Sequence, residues 1–164
     1  HARKHPSTND LYLLTYDFTI DDFRSGYDYR DLNNLITHSK ARYIISFIDA
    51  CFSGYQGSAK GDKHLLKKKI NSLKLPENKV MITSSRGEEL SYEYDKLQLG
   101  LFTYYLLEGL RGEAKDLNDN QFVEIYELIP YLEKKISAYS DNRQHPDEFG
   151  VTSEIKYNFP LALR

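Results

Sequence analysis

The feature that most constrains this chain is the run "YIISFIDACFSGYQG", from Tyr43 to Gly57. Tyr43 to Ile48 is continuously apolar, broken only by Ser46, and it ends in Asp49-Ala50-Cys51 and a Ser/Gly turn. A short run with both faces apolar reads as a strand covered on both sides, as in the interior of an α/β sheet. "NKVMITSS" (Asn78 to Ser85) reads as a second such strand. Between and around these lie helical patterns, so the expected fold class is α/β, with a mainly parallel central sheet flanked by helices.

The remaining elements follow from periodicity and punctuation. "LYLLTYDF" (Leu11 to Phe18) is expected to be extended. A short helix follows, with Leu32, Leu35 and Ile36 on one side. Phe102, Tyr105, Leu106 and Leu110 are at helical spacing, with Gly112 as the stop. Phe122, Ile125, Ile129, Leu132 and Ile136 form another stripe. Pro130 lies inside it, so that helix either kinks there or restarts with Pro130 in its first turn. Glu154 to Leu163 is an edge strand or a closing segment. No internal repeat or long linker divides the 164 residues, which suit one domain.

Composition excludes some functions. Lys and Arg number 22 against 24 Asp and Glu, a formal net charge of -2, which argues against a nucleic-acid partner. No apolar run approaches the roughly 20 residues that span a bilayer, so no membrane partner is expected. With a single cysteine no internal disulfide can form, and a reducing, cytoplasmic setting is the expectation.

That cysteine stands where chemistry gathers. In open α/β sheets functional groups collect at the carboxyl ends of strands. A lone cysteine is most often a small buried hydrophobe. Three neighbouring features favour catalysis. Ser53 and Gly54 permit a tight turn beside a ligand. Asp49, two residues before Cys51, falls on the same face of an extended strand. His1 lies 50 residues upstream of Cys51, and His5 lies 46 upstream.

The segment "YIISFIDACFSG" resembles the catalytic-cysteine segment of the caspase-like cysteine proteases, in the form found in metacaspases and bacterial caspase homologues. In that family the histidine precedes the cysteine by about 50 residues, which His1 fits better than His5. "LYLLTYDF", "VMITSSRGEELSYEY", "LGLFTYYLLEGLRGEA" and "RQHPDEFG" are similar to later family segments, so the resemblance spans most of residues 1–164. It implies a caspase-like catalytic domain with Cys51 as nucleophile and His1 as general acid/base. It implies oxyanion donors at the backbone of Cys51 and of Ala2, where the family has glycine. It implies that Asp49 lines the pocket for the residue before the cut bond, and with it a preference for Arg or Lys; Asp28 is a second candidate for that pocket. Asp49 otherwise reads as a carboxylate accepting backbone N–H bonds at the strand end. Ser84 either borders the cleft or serves in an ordinary turn. The family's histidine turn and its strand are not matched before His1, so the first strands are expected from a further segment or chain that completes the sheet.

Other features carry weaker signals. Lys60 to Lys74 is basic: a site of self-cleavage after Lys60 or Lys63, or a solvated helix with Leu65, Leu66, Ile70 and Leu73 inward. Asp116, Asn118, Asn120 and Glu127 match positions of a calcium loop, but Gln121 stands where that loop needs glycine. No cofactor is therefore expected, calcium being the one alternative, and the segment otherwise reads as a loop capped by Asn120 at the next helix start. His38, His64 and His145 read as surface or loop residues. The expected activity is endopeptidase cleavage of protein or peptide substrates. The alternatives are a catalytically silent caspase-like binding scaffold, a non-proteolytic cysteine hydrolase, or a regulatory subunit driven by a separate sensor.

Overall fold

A computed structural model describes residues 1–8, 10–50, 75–86, 89–94 and 99–164. At its centre is β5 (Lys79–Thr83), all five residues buried. Strand β4 (Ile44–Ile48) lies parallel to it, pairing Ile44 with Lys79 and Ile48 with Thr83. Strand β9 (Asp147–Phe149) lies antiparallel on its other side, pairing Met81 with Phe149 and Thr83 with Asp147.

The period-2 alternation of the two inner strands builds two separate cores. Val80 and Ile82 face one way, with Ile45 and Phe47, into a cluster containing Leu101, Phe102, Leu128, Leu132 and Ile136. Met81 and Ile48 face the other way, with Ile44, onto Ala2, Tyr29 and Ile36. Both faces of the central pair are thus covered, as the apolar runs require.

The first face is covered by two helices. Helix α2 (Leu101–Glu108) continues into a π-helical turn, Gly109–Glu113. Inside that turn Gly112 breaks the helical path at φ 106°, a left-handed conformation suited to glycine. Helix α3 (Ile125–Tyr139) starts with a capping box between Glu124 and Glu127. The two helices approach at Gly109, where an added Cβ would come within 2.6 Å of Leu128 Cδ1.

Helix α1 (Tyr29–His38) covers the second face, capped by Asp28, whose side chain accepts the Arg30 N–H at 2.8 Å. Its inward stripe is Tyr29, Leu32 and Ile36; Leu35, expected on that side, is 63% exposed. One residue advances a helix by about 100°, enough to turn Leu35 away from the stripe. Beside α1, and sharing its core cluster, lies an antiparallel sheet of β1 (Ala2–Lys4), β2 (Leu11–Leu13) and β3 (Tyr27–Asp28). Buried Lys79 ties α1 to the central sheet, its Nζ donating to Ser39 O at 3.2 Å and Ala41 O at 2.6 Å. Its charge thereby meets the carbonyl end of α1.

Two small sheets complete the fold. Strand β6 (Glu93–Tyr94) pairs with β7 (Leu99–Gly100), and β8 (Phe122–Glu124) pairs with β10 (Pro160–Leu163). Between β9 and β10 is α4 (Ser153–Asn158), capped by Thr152.

The fold is mixed α/β; among the described strand pairs β4–β5 is parallel and the others are antiparallel. After α3 the chain arrives at the carboxyl end of β5, beside Thr83, and so must run back along it as β9. The extended segment after His5 is shorter than Leu11–Phe18, because Leu13 ends β2 and Phe18 instead packs edge-on to Phe23 at 5.4 Å. Phe122 belongs to β8, and the capping box starts α3 only at Ile125. That helix runs through Pro130 and does not restart there. The tail is an edge strand only from Pro160 onward. Among the described residues no helix is long and apolar enough to cross a membrane.

Candidate functional site

The carboxyl ends of β4 and β5 are held level by the Ser84 N–H, which donates to Ile48 O at 2.9 Å. Beyond that point a cleft of about 160 Å³ opens, lined by His1, Asp49, Ala50, Ser91, Tyr92, Glu93 and Gly100. Ligand pockets for whole cofactors run from about 300 Å³ upward, so this one suits a single side chain better. Ala50, which lines the cleft, is the residue before Cys51 in the sequence. Cys51 itself lies outside the described residues, as do Ser53, Gly54, His64 and the basic segment Lys60 to Lys74.

The Asp49 carboxylate accepts three hydrogen bonds in the cleft. Ser91 Oγ donates to Oδ1 at 2.8 Å; Thr103 donates to Oδ2 through its Oγ1 at 2.6 Å and its N–H at 3.2 Å. Thr103 is the third residue of α2, whose cap position is Gly100, with no side chain to accept a bond. A carboxylate from the neighbouring strand therefore does the capping, at the positive end of the helix. Gly100 makes this possible: an added Cβ would overlap the carboxylate, lying 2.8 Å from Asp49 Cγ.

Behind the cleft wall stands Gln144, fully buried. Its Oε1 accepts the Tyr92 N–H at 2.8 Å, and its Nε2 donates to Ser84 O at 2.8 Å and Ser91 Oγ at 3.4 Å. The next residue, His145, fastens the same loop to the chain before Ser91. Glu89 Oε1 lies 2.8 Å from its Nδ1, and Glu89 Oε2 accepts its backbone N–H at 2.6 Å. His145 is thus a half-buried bridging residue, more than a surface one.

Two of the sequence candidates, His1 and Asp49, come together in the cleft. His1 enters it from the start of β1, where its carbonyl accepts the Leu14 N–H at 2.8 Å. That bond makes Ala2 and Leu13 a non-hydrogen-bonded pair, so the Ala2 N–H points away from β2, on the side of β1 where no described strand pairs. His5 is committed elsewhere: its Nδ1 accepts the N–H groups of Ser7 and Thr8, both at 3.3 Å, and its ring meets Phe23 edge-on. Ser84 is fully buried, its Oγ donating to Ala50 O at 3.4 Å, so it braces the strand end without lining the cleft.

Asp28 is not among the lining residues. It caps α1 and pairs with Arg30 at 2.6 Å. The hydrogen bond from the Arg30 side chain holds its carboxyl below the usual carboxylate range, against the opposing effect of burial.

The calcium-like loop holds a different cation. Asp116 accepts the N–H groups of Asp119, Asn120 and Gln121 at 2.7, 3.3 and 3.0 Å. Burial raises its pKa, and those three bonds, with Arg164, outweigh burial and keep it low. Gln121 takes the sharp turn itself, at φ 66°. The Arg164 guanidinium sits 2.8 Å from Glu127 Oε2 and 3.5 Å from Asp116 Oδ2. Asn120 caps the turn into β8, accepting the Phe122 N–H at 2.8 Å, and not the start of α3. Among the described residues no group of three or more His, Cys, Asp or Glu is disposed to hold a metal ion.

Sequence reasoning missed Ser91, Tyr92, Glu93, Gly100, Thr103 and Gln144. The first three lie in "SSRGEELSYEY", whose similarity to a later family segment was the one signal available for them. A scan of protein-family models and a search of curated proteins both find no match to this chain.

Proposed function

We propose that the chain is a caspase-like cysteine endopeptidase that cleaves after Arg or Lys. The supporting observation is the convergence of His1, Asp49 and Ala50, the residue before Cys51, on one cleft at the carboxyl end of β4. Under this reading the β4–β5–β9 sheet is part of a larger, mainly parallel caspase-like sheet, completed by a further segment or chain.

The chemistry assigned to these residues is acyl transfer. The Cys51 thiol gives its proton to the His1 imidazole, and the thiolate attacks the carbonyl carbon of the scissile bond. The oxyanion is met by the backbone N–H of Cys51 and by that of Ala2. The His1 imidazolium then protonates the leaving amine, leaving a thioester. Water attacks that thioester, gives its proton to His1, and regenerates the thiol as the acid product departs.

Selectivity rests on the acidic wall. Asp49 forms the floor, its orientation fixed by three donors. Glu93 is exposed where it lines the same cleft and adds a second negative charge. A guanidinium or ammonium entering there is met by charge-assisted bonds.

One observation favours the silent-scaffold reading: a carboxylate with three internal donors is also what a structural helix cap requires. An arginyl chloromethyl ketone separates the two. Alkylation of Cys51, lost in Cys51→Ala, with an uncharged alanyl probe reacting more slowly, supports the protease. In Asp49→Ala the arginyl rate is expected to drop toward the alanyl rate. A folded protein that reacts with neither probe is the scaffold, and equal rates with both remove the basic selectivity.

A further inference from the structure

We propose that Gln144 is a positioning residue that sets the selectivity of the cleft through Ser91. The proposal rests on the reading of Asp49 as the floor of a pocket for a basic side chain.

The carboxamide of Gln144 is completely buried and each of its polar atoms has a partner. Its orientation is fixed by those partners. The Tyr92 N–H can only donate, so it faces Oε1; the Ser84 carbonyl can only accept, so it faces Nε2. The second proton of Nε2 is then directed at Ser91 Oγ, 3.4 Å away. A serine hydroxyl that receives a bond from an amide turns its own proton elsewhere, and Ser91 Oγ donates to Asp49 Oδ1 at 2.8 Å. The result is a directed relay: Gln144 donates to Ser91, and Ser91 donates to Asp49. With Thr103 holding Oδ2, the carboxylate plane is pinned from both sides.

The same side chain sets the wall. Ser91 and Tyr92 both line the cleft, and β6 and β7 follow them as a two-stranded hairpin. Two bonds from Gln144 attach this segment to the end of β5 through Ser84 O. Gln144 therefore fixes both the distance of the wall from the β4 end and the rotor that orients the floor. It touches no reacting atom in this scheme.

The test is a cycle of Gln144→Met, Ser91→Ala and the double variant, read as the ratio of arginyl to alanyl chloromethyl ketone labelling rates. Hydrogen exchange of the Tyr92 amide is followed in parallel. Methionine matches the volume of glutamine and lacks the donors and the carbonyl. Ser91→Ala is expected to lower the ratio about tenfold, of the order of one charge-assisted hydrogen bond, Gln144→Met by at least as much, and the double variant no further than Gln144→Met. Tyr92 amide exchange is expected to accelerate in Gln144→Met and not in Ser91→Ala. A Gln144→Met protein with a wild-type ratio and a deprotected Tyr92 amide would overturn the positioning role. Additive losses would overturn the relay, because two independent structural defects sum. A wild-type protein with no arginyl preference would overturn the pocket reading itself, and that failure shows before any variant is made.

Discussion

Asp49, at the end of β4, and Thr103, in the first turn of α2, are joined twice: the Thr103 hydroxyl donates to Asp49 Oδ2 at 2.6 Å and its N–H to the same oxygen at 3.2 Å. A strand-end carboxylate thus satisfies one of the four N–H groups that a helix start leaves open. The floor of the cleft and the start of α2 are one structure, so a change at either end is felt at the other.

Gly100→Ala tests that coupling. The backbone at Gly100 (φ -58°, ψ 138°) is open to any residue, so alanine brings no conformational strain. What it brings is a methyl group 2.8 Å from Asp49 Cγ. The expected cost is about 1–3 kcal/mol, as for overpacking elsewhere. In an Asp49→Ala background the collision is gone and the same substitution is expected to be close to neutral. Urea denaturation of the four proteins of the cycle measures this, and equal costs in both backgrounds would mean the methyl is accommodated in some other way.

Tyr29 sets an alkaline limit to stability. Burial pushes its phenol up to about 12, and its hydroxyl faces Met81 Sδ at 3.3 Å. An unfolded tyrosine ionises near pH 10. Below that, folded and unfolded chains both carry the neutral phenol and the group adds no pH dependence. Between about pH 10 and 12 the unfolded chain ionises first, so folding stability falls with rising pH. Tyr29→Phe removes this contribution, and its stability is expected to fall less steeply above pH 10 than that of the wild type. Denaturation midpoints from pH 8 to 11 measure the slope; parallel curves would mean that Tyr29 ionises as freely in the folded chain.

Legibility in the sequence followed the range of the interactions. The two inner strands, and the covering of both their faces, could be read from Tyr43–Ile48 and Asn78–Ser85, because burial writes itself into a continuous apolar run. Gly112 as the point where the helical path breaks could be read for a local reason, its positive φ. The pairing of His1 with Asp49 in one cleft came from family resemblance and strand-end logic. Phe122 was misplaced because its spacing from Ile125 fits a helix and cannot show that Glu124 begins one. Gln144 gave no signal beyond its place in "RQHPDEFG": its partners Ser84, Ser91 and Tyr92 lie 60, 53 and 52 residues away, and none is marked by periodicity. Arg164 is a similar case. A loop with the acidic spacing of a calcium site can be recognised locally, while the cation that neutralises it arrives from the end of the chain.

That arginine makes the last prediction. The Glu127 side chain is 0% exposed and accepts the N–H groups of Leu117 at 2.7 Å and Glu124 at 3.2 Å, with the Arg164 guanidinium as its counter-charge at 2.8 Å. Arg164 also donates to the carbonyls of Gly112, Ala114 and Phe122, fastening β10 over the π-helical turn. Arg164→Ala leaves a buried carboxylate without a cation, an effect of about 3–5 kcal/mol when one partner of such a pair is removed. Glu127→Gln in the same background removes the unpaired charge and keeps one acceptor oxygen, at the smaller cost of one backbone N–H bond, since both carboxylate oxygens accept one. The double variant is therefore expected to be more stable than Arg164→Ala alone, by at least about 1 kcal/mol. Guanidinium chloride would screen the charges under study, so urea is the denaturant to use. If Glu127→Gln gives no recovery, the loss in Arg164→Ala comes from the three carbonyls, and the arginine acts as a clasp on the backbone more than as a counter-ion.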